Sequence, residues 1–148
     1  MSRKWVTTDM RPSRDPWALA DTMGATIGTH EGGPAGLYWG HGHITLRAGL
    51  GPLAARCTLA HELGHMAHGD HPHATGHTHR VQERRAWQFA ANLLIAPAAY
   101  ADAETLHGPH PGAIAAELGV TLWTLAVWRD MHGVPTDGVD LRRGVIAH

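Results

Sequence analysis

The chain reads as a single α+β domain with a small sheet and a majority of helix, and three observations lead there. Segments 52–65 and 80–95 carry apolar residues at spacings of three and four, the signature of helices with one packed face. Leu37-Tyr38-Trp39 and Ile44-Thr45-Leu46 flank Gly40-His41-Gly42, the pattern of two short strands joined by a glycine turn. From Pro111 onward the sequence returns to helix formers. With 148 residues, 43% of them apolar, it is long enough for one modest core and is not disordered by composition.

In chain order, Asp15 is placed to cap a short helix over 16–23 that Gly24 stops. Gly32-Gly33-Pro34 is a loop, and the two strands follow it as a small antiparallel or mixed sheet. His43–Arg47 is the candidate exposed edge, to which an extended peptide could add as a further strand. Pro52 suits the first turn of the next helix, which has Leu53, Cys57, Ala60 and Gly64 on one face and stops at Gly69-Asp70. The third helix runs over 80–95, with no Gly or Pro until Pro97 and with Ala86, Phe89, Ala90, Leu93 and Leu94 as its apolar stripe. Segment 111–128, turning at Gly119, has the outline of a helix-turn-helix. We divide the single domain 1–148 into a core over 1–105, a helical subregion over 106–134 and a tail over 135–148.

His61-Glu62-Leu63-Gly64-His65 is the most informative segment. At ~3.6 residues per turn, His61 and His65 share one helical face and can reach one cation, while Glu62 is rotated to the side as a candidate proton acceptor. Gly64 weakens a helix by roughly 1 kcal/mol relative to alanine, a cost compatible with close backbone approach. Glu83 lies at the edge of the stripe on the next helix. It either pairs with Arg80 or Arg84 on a solvated face or reaches a cation held by the first helix, with small Ala86 and Ala90 allowing the approach. His61, His65 and His71 also have metzincin ligand spacing, but that arrangement needs a tight turn where His68 stands, and Gly69 comes one place late. His68, His73, His77 and His79 crowd the same connection and could hold a second metal; a surface loop is the simpler reading.

H-E-L-G-H at His61–His65, followed by Glu83, Ala86, Phe89, Ala90, Leu93, Leu94 and then Pro97, resembles the ImmA/IrrE-like zinc metallopeptidases, over roughly Ala18 to Trp128. The resemblance implies a zincin-like arrangement, with the small sheet beside the H-E-x-x-H helix. It implies zinc as cofactor, His61, His65 and Glu83 as its ligands, and Glu62 as catalytic base. Zinc would supply Lewis acidity and a water nucleophile at neutral pH, and Glu62 would take the proton and return it to the leaving amine. Two positions depart from the family pattern. Trp87 stands where an asparagine usually follows the alanine, and Ala96 adds a residue before Pro97; neither is expected to touch a ligand. For the oxyanion, Tyr38, Tyr100 and His107 are the chemically able candidates.

By analogy with that family, the expected activity is endopeptidase cleavage of an intracellular protein, with a DNA-binding repressor as the expected substrate. Two alternatives belong to other classes: a DNA-binding regulator with a structural metal, and a phage or mobile-element toxin or anti-host factor. Direct nucleic-acid binding is disfavoured, because a net charge of −1 gives no general attraction and the second helix of 111–128 offers Thr121, Trp123, Thr124 and Arg129, poor in base-reading side chains. Met1–Val6 lacks a signal-peptide run, no stretch reaches the ~18 apolar residues of a membrane span, and the one cysteine, Cys57, excludes an internal disulfide. A cytoplasmic location without membrane partners is the expectation.

Overall fold

The structure is a computed structural model and describes residues 14–136 and 138–141. The Met1–Val6 segment and the end of the tail from Arg142 lie outside these residues. The described elements are α1 (Pro16–Met23), β1 (Thr26–His30), β2 (Gly36–Gly40), β3 (His43–Arg47), α2 (Pro52–Ala67), α3 (Gly76–Leu94), α4 (Pro97–His107), α5 (Pro111–Leu118) and α6 (Leu122–Met131). The architecture is α+β, as expected. Asp15 accepts from the Trp17 N–H, and Gly24 closes α1 in the left-handed region at φ 75°. Helix α3 begins four residues before Arg80, and α4 is an addition to the elements expected.

Among the described residues the sheet has three strands in the order β1-β3-β2, with β1 parallel and β2 antiparallel to β3. β3 is therefore central and paired on both sides. The assignment of His43–Arg47 as the exposed edge is corrected: the edge strands are β1 and β2. β1 was not legible because Thr26-Ile27-Gly28-Thr29-His30 holds a single large apolar residue. Its pairing with β3 and the burial of Ile27 against the sheet's apolar cluster supply what its own alternation lacks.

Helix α2 lies between two apolar clusters. Leu59 and Leu63 pack with Ala20, Ile44 and Leu46 beneath the sheet. Cys57 and Ala60 pack with Ala90, Leu94, Ile95, Ile114, Val120 and Leu125 of the helical side. Every residue from Cys57 to His65 is buried as a result, so His61, Glu62 and His65 need polar partners inside the protein. Leu53, assigned to the packed face, is instead exposed at the first turn.

Gly64 sets the distance between α2 and α3. A Cβ there would lie 2.8 Å from the Ala86 carbonyl oxygen and 2.9 Å from its Cα. Gly64→Ala should therefore force the helices apart and lower unfolding stability by about 1–3 kcal/mol, the usual range for overpacking. Gly112→Ala, where a Cβ meets nothing within 4 Å, is the control and should be neutral or slightly stabilising. Urea unfolding of both variants checks this; equal midpoints would refute the close-approach account.

Helices α5 and α6 cross at 98° after Gly119, so the helix-turn-helix outline is real. Its second helix is unavailable to a groove, since Trp123 through Arg129 are all buried. Arg56 of α2 donates to the Gly119 carbonyl and ties the turn to the core. The pair serves as packing. Among the described residues no single helix is long and apolar enough to cross a membrane.

Candidate metal centre

Four buried or half-buried groups converge where α2 meets α3. His61 and His65 project from one face of α2, and Glu83 reaches them from the second turn of α3. Glu83 Oε2 is 2.7 Å from His65 Nε2, and Oε1 is 3.2 Å from His61 Nε2. Glu83 thus turns to the histidines, not to Arg80 or Arg84. The potential ligand atoms of the three residues lie within 4.8 Å of one another, and this is the one such group found among the described residues.

The donor set fits a cation. Two imidazole nitrogens and a carboxylate are the ligand types of a three-residue site with an open position. His61 Nε2 is buried, and its approach to Glu83 is too poorly aligned to give it a hydrogen-bond partner. A polar atom left this way inside a core is costly, and coordination would satisfy it. The metal-free protein holds positive charge there by protonation instead. Burial opposes charge on His61, but the Glu62 and Glu83 carboxylates outweigh it and push its pKa up to about 9. His65 is raised as well, against its own burial and the His61 charge, by hydrogen bonds to Glu83 and Asp70. Burial would raise the Glu83 pKa; the two histidines instead hold it far below the usual carboxylate range.

These shifts set a pH window. The raised His61 contributes stability that is complete below its ordinary 6.5 and is lost as pH rises through about 9. The depressed Glu83 contributes stability present above its ordinary 4.5 and lost as pH falls below it. The chelator-treated protein should melt at progressively lower temperature between pH 6.5 and 9. Metal should reverse the trend, because it needs the neutral imidazoles and its binding releases their protons. A melting temperature of the metal-free protein that is flat across this range would refute the assignment.

Glu62 is 4% exposed and sits beside the three, its Oε2 3.0 Å from His61 Nδ1. Strand β2 passes directly over it. A Cβ on Gly36 would lie 2.9 Å from Glu62 Oε2 and 2.5 Å from Thr58 Cγ2, so only glycine admits this approach. Trp87, one turn after Glu83 on α3, stacks on the His61 ring at 4.1 Å between centroids and 18° between planes. The expectation that Trp87 touches no ligand candidate is therefore corrected.

The remaining histidines stay apart. His71 is exposed and outside the group of three, although Gly69 does turn the chain at φ 64°. His68 donates from Nδ1 to the Gly64 carbonyl, and His73, His77 and His79 are exposed. Of the oxyanion candidates, Tyr100 donates to Glu104 and receives from Arg129, and His107 pairs with Glu117, so both are engaged in the helical side. Tyr38 packs against the apolar cluster under the sheet. Sequence reasoning missed Asp70, treated only as part of a helix stop, which is buried against His65 and Arg85. It also missed Gly36. A lone Asp or Gly in a loop-like stretch carries no signal of these contacts.

Two histidines one turn apart, a carboxylate from the adjoining helix and a separate glutamate beside them are the residue types from which metallohydrolase centres are built, and the first three could hold a metal ion. Residues 20–127 match the family model for peptidase family M78, the IrrE N-terminal-like domain, and the chain belongs to that family. Comparison with individual curated proteins gave no match.

Proposed function

We propose that this chain is a zinc-dependent endopeptidase acting on a protein inside the cell. The observation that carries the reading is the convergence of His61, His65 and Glu83, with Glu62 next to them but outside the ligand set. His61 and His65 would hold the metal through Nε2, and Glu83 through its carboxylate. When bound, zinc supplies Lewis acidity toward the scissile carbonyl and lowers the pKa of water enough for attack at neutral pH. The Glu62 carboxylate takes the proton from the attacking water and delivers it to the amine as the C–N bond breaks. Gly36 keeps β2 close to this carboxylate, and among the described residues β2 has one partner strand, so an extended peptide can add to its other edge.

A DNA-binding repressor is the substrate we favour, by analogy with the family. The cytoplasm is the compartment we infer, in keeping with a buried, unpaired Cys57. The test is to incubate the zinc-loaded protein with a repressor encoded beside it and to weigh both proteins by intact mass spectrometry. We expect cleavage at one or few sites that a zinc chelator stops. An intact repressor would overturn the substrate assignment, and a purified protein that takes up no zinc would overturn the metal reading.

A further inference from the structure

We propose that Asp70 is a positioning residue for His65, and that Arg85 dictates which of its oxygens faces the imidazole. Asp70 follows the end of α2, where Gly69 reverses the chain and the Asp70 N–H returns to the His65 carbonyl at 3.0 Å. Its side chain is 3% exposed and both oxygens are engaged: Oδ2 lies 2.8 Å from His65 Nδ1, and Oδ1 lies 2.8 Å from an Arg85 guanidinium nitrogen. A carboxylate buried this deeply needs such partners. The Nδ1–H of His65 donates to Oδ2, so the proton that a cation displaces is the one on Nε2, and the lone pair it uncovers is directed at the ligand group. Fixing the far nitrogen of an imidazole in this way selects the tautomer that can bind a cation and stops the ring from turning. His61 has a different support, the Glu62 contact and the Trp87 stack, so Asp70 serves His65 alone.

Arg85 makes the arrangement directional. A guanidinium can only donate. In Asp70→Asn the amide oxygen is therefore drawn to Arg85, and the NH2 group is left facing His65 Nδ1. Nδ1 must then accept, the proton moves to Nε2, and Nε2 can no longer bind a cation. Removing Arg85 from that variant frees the amide to rotate and restores an acceptor to Nδ1.

The proposal rests on His65 being a metal ligand, and the experiment separates the two ideas. Zinc affinity is measured near neutral pH by competition with a chelating dye for the unsubstituted chain, D70N, R85A and D70N/R85A. Melting of each metal-free protein serves as the control for folding. D70N should bind zinc about 10–100-fold more weakly. R85A should change affinity little, and the double variant should bind more tightly than D70N. A merely structural Asp70 predicts the opposite for the last comparison, because the second substitution would add to the damage. Unchanged affinity in D70N, or a double variant no tighter than D70N, overturns the positioning role while leaving the metal site standing. An unsubstituted chain that binds no zinc overturns both.

Discussion

Glu62→Gln is expected to leave zinc content unchanged and to lower hydrolysis of the protein substrate by about 10²–10⁴-fold, the usual worth of a positioned general base. Glutamine has the same shape, so it fits the space beneath Gly36, where Glu62 Oε2 already comes within 2.9 Å of the site a Cβ would occupy. Its amide oxygen can still accept from His61 Nδ1, which now meets Glu62 at 3.0 Å. The imidazole therefore keeps its orientation, and the three ligand candidates are untouched. What is lost is the ability to take a proton. Metal analysis after dialysis and a cleavage assay, run on the same preparation, test the two halves together. Loss of zinc in this variant would show that Glu62 is a ligand and that the division of roles is wrong.

The second large effect concerns the third ligand. Glu83→Ala should abolish stoichiometric zinc binding, a greater loss than the ~10–100-fold typical of removing a group that only orients a ligand. His71→Ala should leave binding nearly unchanged. Glu83 sits on a helix already ordered by the burial of Ala86 and Ala90, and its carboxylate lies between the two imidazoles. His71 is exposed in the connection between α2 and α3. Bringing it to the site would require refolding a segment that includes Pro72, at about 1–2 kcal/mol of conformational entropy for each residue fixed. Zinc retained in Glu83→Ala and lost in His71→Ala would replace the present site with one of metzincin spacing.

The helices other than α4 were legible because their signals are local. Asp15, Pro16 and Gly24 bound α1 by capping chemistry alone, and the structure places its ends where those residues predict. The nearness of the four candidate site residues was legible for a related reason. His61, Glu62 and His65 lie within five positions of one helix, so helical geometry by itself brings the histidines together. Glu83 was a step harder. Its spacing from Ala86 and Ala90 placed it at the edge of a packing face, but pairing with Arg80 or Arg84 remained open until α3 was seen against α2.

The amino-acid sequence by itself therefore determined the α+β class, the H-E-x-x-H helix and the chemical types gathered at the site. Each of these is encoded by residues within a few turns of one another. Only the tertiary structure decided that β3 is central, that β2 is the edge over Glu62, and that β1 exists at all, because strand pairing is settled by partners distant in sequence. It alone brought Asp70 to His65 and Arg85, stacked Trp87 on His61, and buried the second helix of the helix-turn-helix pair. The physical reason is the same in each case: α2 is enclosed on both sides. The partners of its buried polar groups must come from β2, α3 and the turn after Gly69, and no local pattern records those approaches.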